Sequence, residues 1–233
     1  MRPTVLLFDI DGTLLTMAGV GRRALERALA LRYGPGTSLR GIQFDGMTDR
    51  GIVRAALAAM GEQADDGRET GAAIDAVLAS YVSLLEEEVA QSDGLGLHRG
   101  VLAALDAGAT WPGVAIGLGT GNIRAGARVK LEHVGIFDRF AFGGFGCDHE
   151  DRTELLRVGA ARGARVLGAA RNGCRVVVIG DTPRDVEAAR AIAAEALGVA
   201  TGRFTAADLT AAGATYAFDD LAADGALAAL RGR

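Results

Sequence analysis

The feature that most constrains the fold is an apolar run that ends in two aspartates, VLLFDIDGTLLT at residues 5–16. Residues 5–10 are predicted to form a buried strand, with Asp9 and Asp11 at its carboxyl end. Burying a carboxylate costs free energy unless the group is paired or bound to a cation. The fold must therefore bring something cationic to the end of this strand.

Short apolar runs alternate with helical patterns along most of the chain, which is typical of a parallel sheet flanked by helices. The predicted strands cover residues 5–10, 114–118, 175–179, 196–199 and 215–218. Helices are predicted between the last four strands, at residues 123–134, 153–170, 184–194 and 206–211. Because crossovers between parallel strands are right-handed, the carboxyl ends of the strands meet at one edge, where α/β sheets bind ligands.

Residues 17–93 interrupt this alternation. They contain three helical patterns without a convincing strand, at residues 22–33, 49–60 and 70–90. In the third pattern the apolar residues recur at helical spacing: Ile74, Val77, Leu78, Tyr81, Leu84 and Leu85. The GPG segment at residues 34–36 and Gly61 end the first two. We therefore predict an all-helical insertion at 17–93 and a core formed by 1–16 and 94–233.

Composition limits the classes of partner. A net charge of −4 gives no electrostatic basis for binding nucleic acid or an anionic membrane. Cys147 and Cys174 lack metal-ligand spacing and are predicted to be reduced thiols. No apolar run is long enough for a signal peptide or a membrane span, so we expect a cytoplasmic protein.

Polar clusters stand at or near the ends of predicted strands in four places. They are Asp9 and Asp11 in DIDGT, Thr120, Gly121 and Asn122 in GLGTGN, Lys130 in RVKLEHVGIFD, and Asp181 and Asp185 in VVVIGDTPRD. Each cluster alone has a structural alternative, such as an Asp-Gly turn, a helix cap or a solvated lysine. A parallel sheet would, however, bring several carboxylates, a hydroxyl and an ammonium to one edge.

The acidic members of this set suit phosphoryl transfer. Asp9 and Asp181 can hold Mg²⁺, which prefers octahedral oxygen ligands. With the metal bound, a carboxylate can attack phosphorus and form an aspartyl-phosphate. Asp11 could protonate the leaving oxygen and later activate water.

The neutral and basic members complement these carboxylates. Thr120 and the amides of Gly121 and Asn122 offer hydrogen-bond donors to phosphoryl oxygens. Lys130, the only lysine in the sequence, supplies a positive charge that would hold nucleophile and phosphate together.

The four clusters, in this order and spacing, resemble the haloacid dehalogenase superfamily of phosphotransferases, and the resemblance covers the whole chain. FDIDGTLL resembles its first motif, the threonine after a strand its second, the helix-borne lysine its third and GDTPRD its fourth; VKLEHVGIFDRF looks most like the phosphoglycolate-phosphatase-like branch. The resemblance implies a Rossmann-like parallel sheet with helices on both faces and, directly after the first motif, an inserted helical cap of the C1 type.

The resemblance also implies an activity, that of a Mg²⁺-dependent phosphatase acting on a small phosphorylated metabolite such as a phosphoglycolate-like monoester. A sugar-phosphate phosphomutase and, from another class, a non-catalytic phosphate-sensing module are the alternatives. No nucleic acid or membrane partner is expected. The sequence fits a monomer and a homodimer equally.

Carried over residue by residue, the resemblance implies a role for each motif residue. Asp9 would be the nucleophile, and Asp11 the general acid/base that also gives the metal its backbone carbonyl. Thr120 would bind the phosphoryl group and Lys130 would neutralise charge. Asp181 would be a Mg²⁺ ligand, and Asp185 either a second ligand or a carboxylate that contacts the ligands without binding the metal. Dehalogenating members usually lack the second aspartate of the first motif. The presence of Asp11 therefore argues against carbon–halogen chemistry.

The helical insertion, which we call the cap, must supply substrate selectivity because the core handles only phosphate and metal. In GMTDRG at residues 46–51, Thr48 is predicted to cap the next helix and Arg50 to bind an anionic group of the substrate. The alternative for Arg50 is a surface arginine at a plain helix start. Gly19 and Gly21 are candidate hinges, and Cys147 in the GFGCDHEDR loop is predicted not to be a nucleophile.

Overall fold

A computed structural model of the chain describes residues 2–62 and 67–232. Its strands are Thr4–Phe8 (β1), Leu15–Thr16 (β2), Gly96–Leu97 (β3), Val114–Thr120 (β4), Phe142–Phe145 (β5), Arg175–Gly180 (β6), Glu195–Val199 (β7) and Tyr216–Phe218 (β8). Its α-helices are Val20–Tyr33 (α1), Asp49–Ala59 (α2), Gly67–Ala90 (α3), Val101–Thr110 (α4), Arg124–His133 (α5), Arg152–Val166 (α6), Pro183–Ala191 (α7), Ala206–Ala211 (α8) and Ala226–Arg231 (α9).

Six strands form one parallel sheet in the order β5-β4-β1-β6-β7-β8. β1 lies between β4 and β6, and its last residue, Phe8, pairs with Leu118 of β4 and Ile179 of β6. The strands with the candidate site residues are thus neighbours in the sheet. This arrangement confirms the predicted α/β class and places the carboxyl ends of β1, β4 and β6 side by side.

The sheet is covered on both faces because successive side chains of β1 point in opposite directions. Leu6 and Phe8 belong to an apolar cluster that includes residues of α4, α5 and α9. Val5 and Leu7 belong to a second cluster with residues of α6, α7 and α8. A central strand buried on both faces accounts for the continuous apolar run in the sequence.

A third apolar cluster is formed mainly by α1, α2 and α3. Among the described residues of 17–93 the structure has helices and no strand, and α1 ends at Gly34 as predicted. The chain leaves and re-enters the core through β2 and β3, an antiparallel pair in which Leu15 faces Leu97. These observations support our division into a core of 1–16 and 94–233 and a cap of 17–93, which we keep as a proposal.

The sequence patterns missed β2, β3, β5, α4 and α9. β2 and β3 have two residues each, which is too short for a periodic signal. β5 has the sequence FGGF, and glycine is depleted in strands. Its glycines are required by packing: a Cβ at Gly144 would lie 1.9 Å from the carbonyl oxygen of Leu155 in α6. Among the described residues, no helix has the length and apolar character needed to cross a membrane.

Candidate active site

Three buried carboxylates lie together at the carboxyl ends of β1 and β6. Asp9 extends β1, and its N–H donates to the carbonyl of Ile179 at 2.9 Å. Asp181 follows β6, and Asp185 lies in the first turn of α7, where the N–H and hydroxyl of Thr182 donate to its Oδ2. One carboxylate oxygen from each aspartate lies within 4.8 Å of the others. The structure thus brings together Asp9 of the first motif and both predicted acidic residues of the fourth.

A turn directly after Asp11 holds Asp181 in place. Gly12 has a φ of +82°, and a Cβ there would lie 2.3 Å from Asp181 Oδ2. The hydroxyl of Thr13 donates to Asp181 Oδ1 at 2.9 Å. The DGT part of the first motif therefore positions a carboxylate 168 residues farther along the chain.

The cation that contacts Asp9 is Arg152, the first residue of α6, which the sequence analysis missed. Its Nη2 lies 2.9 Å from Asp9 Oδ2, and its Nε donates to Asp185 Oδ1 at 2.8 Å. The guanidinium is buried, so these ion pairs are shielded from solvent. The DHEDR segment, which contains Arg152, follows β5. It indicates a site at the edge of the sheet only once β5 is recognised as a strand.

Electrostatics of this cluster favour an additional cation. Burial raises the pKa of Asp9 to about 6, against the lowering effect of Arg152. Burial, reinforced by Asp185 and Asp9, raises the pKa of Asp181 to about 8. One guanidinium is therefore too little positive charge for three buried carboxylates. Hard oxygen donors with excess negative charge are the ligand set that Mg²⁺ prefers, so the residues present fit this metal.

Lys130 is buried, and its side chain contacts Asp11 and Asn122. Its Nζ lies 2.9 and 2.8 Å from the two carboxylate oxygens of Asp11 and 2.5 Å from Asn122 Oδ1. The Asn122 side chain also donates to Asp11 Oδ2 at 2.8 Å. Lys130 thus orients Asp11, and the cation that contacts Asp9 is Arg152. That Lys130 neutralises charge between nucleophile and phosphate stays a prediction.

Thr120, the last residue of β4, is fully buried beside this group. Its Oγ1 accepts hydrogen bonds from the backbone N–H of Asn122 at 3.2 Å and from the Asn122 side chain at 2.9 Å. Because the oxygen already accepts these bonds, the hydroxyl proton is free to donate to a ligand. The second motif is therefore arranged to bind an anionic oxygen.

A cavity of about 470 Å³ lies between the strand ends and the cap. Its core side includes Asp9, Asp11 and Asp181, and its cap side includes Arg22, Phe44, Met47, Asp49 and Tyr81. A cavity of this size accommodates a small metabolite. The cap therefore closes over the carboxylates and supplies most of the wall that a substrate's organic part would contact.

Arg50 does not lie on that wall, contrary to the prediction. Its guanidinium forms an ion pair with Asp75 of α3, and neither residue lines the cavity. Thr48 does cap α2, because its Oγ1 accepts a hydrogen bond from the N–H of Gly51 at 3.1 Å. The cap arginine that lines the cavity is Arg22 of α1.

Comparisons with known proteins give a consistent result. The family model described as haloacid dehalogenase-like hydrolase matches residues 3–193. Similar solved structures include a hydrolase from Pseudomonas syringae, with 20% identity, a TM-score of 0.67 and coverage of 95% of this chain and 94% of that one. CbbY from Rhodobacter sphaeroides in complex with phosphate has 18% identity, a TM-score of 0.71 and coverage of 99% and 100%.

A CbbY variant in complex with xylulose-(1,5)bisphosphate is also similar, with 18% identity, a TM-score of 0.70 and coverage of 99% of both chains. At these identities the likeness establishes the fold. None of the curated proteins compared with the chain matches its sequence.

Proposed function

Because the chain belongs to the haloacid dehalogenase-like hydrolases, we propose that it is a Mg²⁺-dependent phosphatase of a small phosphorylated metabolite. The observation that carries the proposal is the buried cluster of Asp9, Arg152 and Asp181 at the strand ends, facing the cavity between the sheet and the cap. Phosphate and a sugar bisphosphate bind to a protein of the same fold, which supports a phosphate ester as substrate.

In the proposed reaction the Asp9 carboxylate attacks the phosphorus of the monoester. The bond from phosphorus to the leaving oxygen breaks, and Asp11 gives that oxygen its proton. The product on the enzyme is an aspartyl-phosphate at Asp9. Asp11 then takes a proton from water, the hydroxyl attacks phosphorus, and inorganic phosphate leaves as Asp9 is regenerated.

The surrounding residues hold these groups in position. Lys130 and Asn122 fix the Asp11 carboxylate by three charge-assisted contacts. The hydroxyl of Thr120 and the N–H of Gly121 donate to phosphoryl oxygens. The N–H of Asn122, predicted as a third donor, holds the Thr120 oxygen instead. Donors fixed in advance stabilise developing charge without reorganising during the reaction.

Mg²⁺ would be held by the carboxylates of Asp9 and Asp181 and the backbone carbonyl of Asp11. The ion supplies positive charge that offsets the carboxylates and polarises a phosphoryl oxygen. Asp185 was predicted either as a metal ligand or as a carboxylate that contacts the ligands without binding the metal. Since both its oxygens are engaged by Arg152 and Thr182, we assign it the task of holding Arg152.

Activity should require the metal and should depend on Asp181. We expect EDTA to abolish turnover of p-nitrophenyl phosphate and Mg²⁺ to restore it. Asp181→Ala should raise the Mg²⁺ concentration for half-maximal activity by about tenfold or more, a loss of about 1.4 kcal/mol of metal binding. The measurement is initial rate against free Mg²⁺, with Asp138→Ala as control. Undiminished activity in EDTA would contradict the proposed site.

Substrate selectivity should depend on Arg22 and not on Arg50. Arg22 donates to the carbonyls of Leu39 and Ile42 at 2.9 and 2.8 Å, and its guanidinium lies 3.9 Å from the centre of the Phe44 ring. A guanidinium has five N–H groups, so donors remain for an anionic group of the substrate.

We expect Arg22→Gln to raise the KM for 2-phosphoglycolate by about tenfold or more relative to that for p-nitrophenyl phosphate, which has no second anion. Arg50→Ala is the matched control, because it removes a cap arginine outside the cavity. Both KM values should stay within about twofold of the parent in that variant. A selective loss in Arg50→Ala, with none in Arg22→Gln, would restore the sequence-based assignment.

A further inference from the structure

Asp49 is a buried carboxylate of the cap for which neither the sequence analysis nor the proposed reaction gives a role. It is the first residue of α2 and is 8% exposed. Its N–H donates to the carbonyl of Gly121 at 2.9 Å, and its Oδ2 accepts a hydrogen bond from the N–H of Ile123 at 2.8 Å. The cap thus makes two hydrogen bonds to the loop that contains the phosphoryl-binding N–H of Gly121.

These two bonds determine which way the loop peptides face. In a trans peptide the carbonyl and the following N–H point in opposite directions. Since the carbonyl of Gly121 is directed at Asp49, the N–H of Asn122 must point away from the cap. It lies 3.2 Å from Thr120 Oγ1, on the side of the phosphoryl-binding hydroxyl.

The close approach of the two segments depends on glycine at position 121. A Cβ on Gly121 would lie 2.3 Å from the carbonyl oxygen of Met47 and 2.9 Å from the Cα of Thr48. The cap backbone therefore rests directly on the peptide that Asp49 orients. A larger residue at 121 would separate the cap from the loop and break both hydrogen bonds.

Retaining a carboxylate at this position is costly for the fold. Burial raises the pKa of Asp49 to about 6, although Lys130 acts in the opposite direction. A carboxylate in the first turn is favourable to a helix, but an exposed one would serve equally well there. The position of Asp49 is therefore explained by what its oxygen contacts.

We propose that Asp49 is a positioning residue through which the docked cap orients the Gly121–Asn122 peptide, whose N–H holds the Thr120 oxygen, and so positions the Thr120 hydroxyl for phosphoryl binding. The inference rests on the proposed phosphatase function. In this inference a cap residue controls the geometry of the phosphate site, and other cap residues determine substrate selectivity. The role requires a hydrogen-bond acceptor at the correct distance and does not require its negative charge.

The test compares Asp49→Ala, Asp49→Asn and Asp49→Glu with the parent, using p-nitrophenyl phosphate as substrate and inorganic phosphate as inhibitor. Asp49→Ala should lower kcat/KM and weaken inhibition by phosphate, each by about tenfold or more, because the acceptor is lost. Asp49→Asn keeps an acceptor oxygen in place and should stay within about threefold of the parent. Asp49→Glu keeps the charge but displaces the acceptor, so it should resemble Asp49→Ala.

Arg54→Ala is the matched control for loosened docking of the cap. Arg54 of α2 forms a two-point ion pair with Glu150 of the core, with contacts of 2.6 and 2.9 Å, so its hydrogen bonds go to a core residue outside the 121–123 loop. Inhibition of this variant by phosphate should stay within about twofold of the parent. Thermal unfolding temperatures establish that each variant is folded. If Asp49→Ala does not fold, Asp49→Glu is the variant that tests the loss of the acceptor.

Three results would overturn the inference. Equal losses in Asp49→Asn and Asp49→Ala would show that charge is required, and parental activity in both Asp49→Ala and Asp49→Glu would show that the contact is dispensable. Weakened phosphate inhibition in Arg54→Ala matching that of Asp49→Ala would attribute the effect to cap docking alone. If the parent itself does not turn over p-nitrophenyl phosphate with Mg²⁺, the proposed function fails instead.

Discussion

Asp9→Asn is expected to reduce turnover of p-nitrophenyl phosphate by at least about a thousandfold, equivalent to about 4 kcal/mol of activation free energy. Asparagine has nearly the same size as aspartate but lacks the charged oxygen that attacks phosphorus. The thermal unfolding temperature should not fall, because burial raises the pKa of Asp9 and its charge is therefore costly to the folded state. Arg152 keeps a carboxylate partner in Asp185.

The measurement is the rate at saturating Mg²⁺, with the unfolding temperature determined on the same sample. Asp106→Asn is a suitable control, because Asp106 is an exposed carboxylate of α4 that pairs with Arg139. Residual activity of Asp9→Asn within about tenfold of the parent, a loss of only about 1.4 kcal/mol, would exclude a nucleophilic role.

Arg152→Met is expected to cause the second large effect, on both activity and stability. The substitution leaves Asp9 and Asp185 buried without the guanidinium that contacts both. Removing one partner from a buried ion pair costs about 3–5 kcal/mol of unfolding free energy. We expect a loss of this size in denaturant unfolding without Mg²⁺, and turnover reduced by about a thousandfold with Mg²⁺ present.

Two further variants distinguish this role from that of Lys130. Arg152→Lys keeps the charge without the planar fork that reaches Asp9 and Asp185 together, so it should recover part of the stability and little of the activity. Lys130→Met should slow alkyl phosphates, whose leaving oxygens need a proton, more than p-nitrophenyl phosphate. The account is wrong if Lys130→Met abolishes both activities while Arg152→Met retains them.

Much of the fold followed from local sequence signals. Apolar runs identified β1, β4, β6 and β7 because most of their residues are buried in the sheet. β8, a partly buried edge strand, was identified from a shorter run. The helices of residues 17–93 were predicted from the periodicity of their apolar residues, and Gly34 marked the end of α1. The family inferred from the motifs is confirmed by the family model that matches residues 3–193.

The missed site residue, Arg152, depends on an element that lacks a local signal. β5 consists of FGGF, whose glycines suit close contact with α6 and hide the strand. Without β5 there was no reason to place the start of α6 at the edge of the sheet. Lys130 was assigned to neutralise charge because it resembles the third motif, and in the structure it contacts Asp11.

Arg50 was predicted to face the substrate because the rotation of side chains around the axis of α2 could not be determined from the sequence. Adjacent residues on a helix point about 100° apart, since one turn contains 3.6 residues. In α2 this rotation directs Asp49 to the core loop and Arg50 to Asp75 of the cap. The short GMTDRG segment contains too little periodicity to decide which of the two faces inward. The chemically more prominent arginine was therefore chosen over the residue with the core contact.

The central claim, that phosphoryl transfer proceeds through Asp9, is tested most directly by trapping the covalent intermediate. In Asp11→Asn the water-activating carboxylate is absent, so an aspartyl-phosphate formed from p-nitrophenyl phosphate should accumulate. Mass spectrometry after acid quench in the presence of Mg²⁺ should find one added phosphoryl group on the peptide that contains Asp9, and none when Asp9→Asn is added. Release of p-nitrophenol by Asp11→Asn with no adduct at Asp9 would contradict the claim.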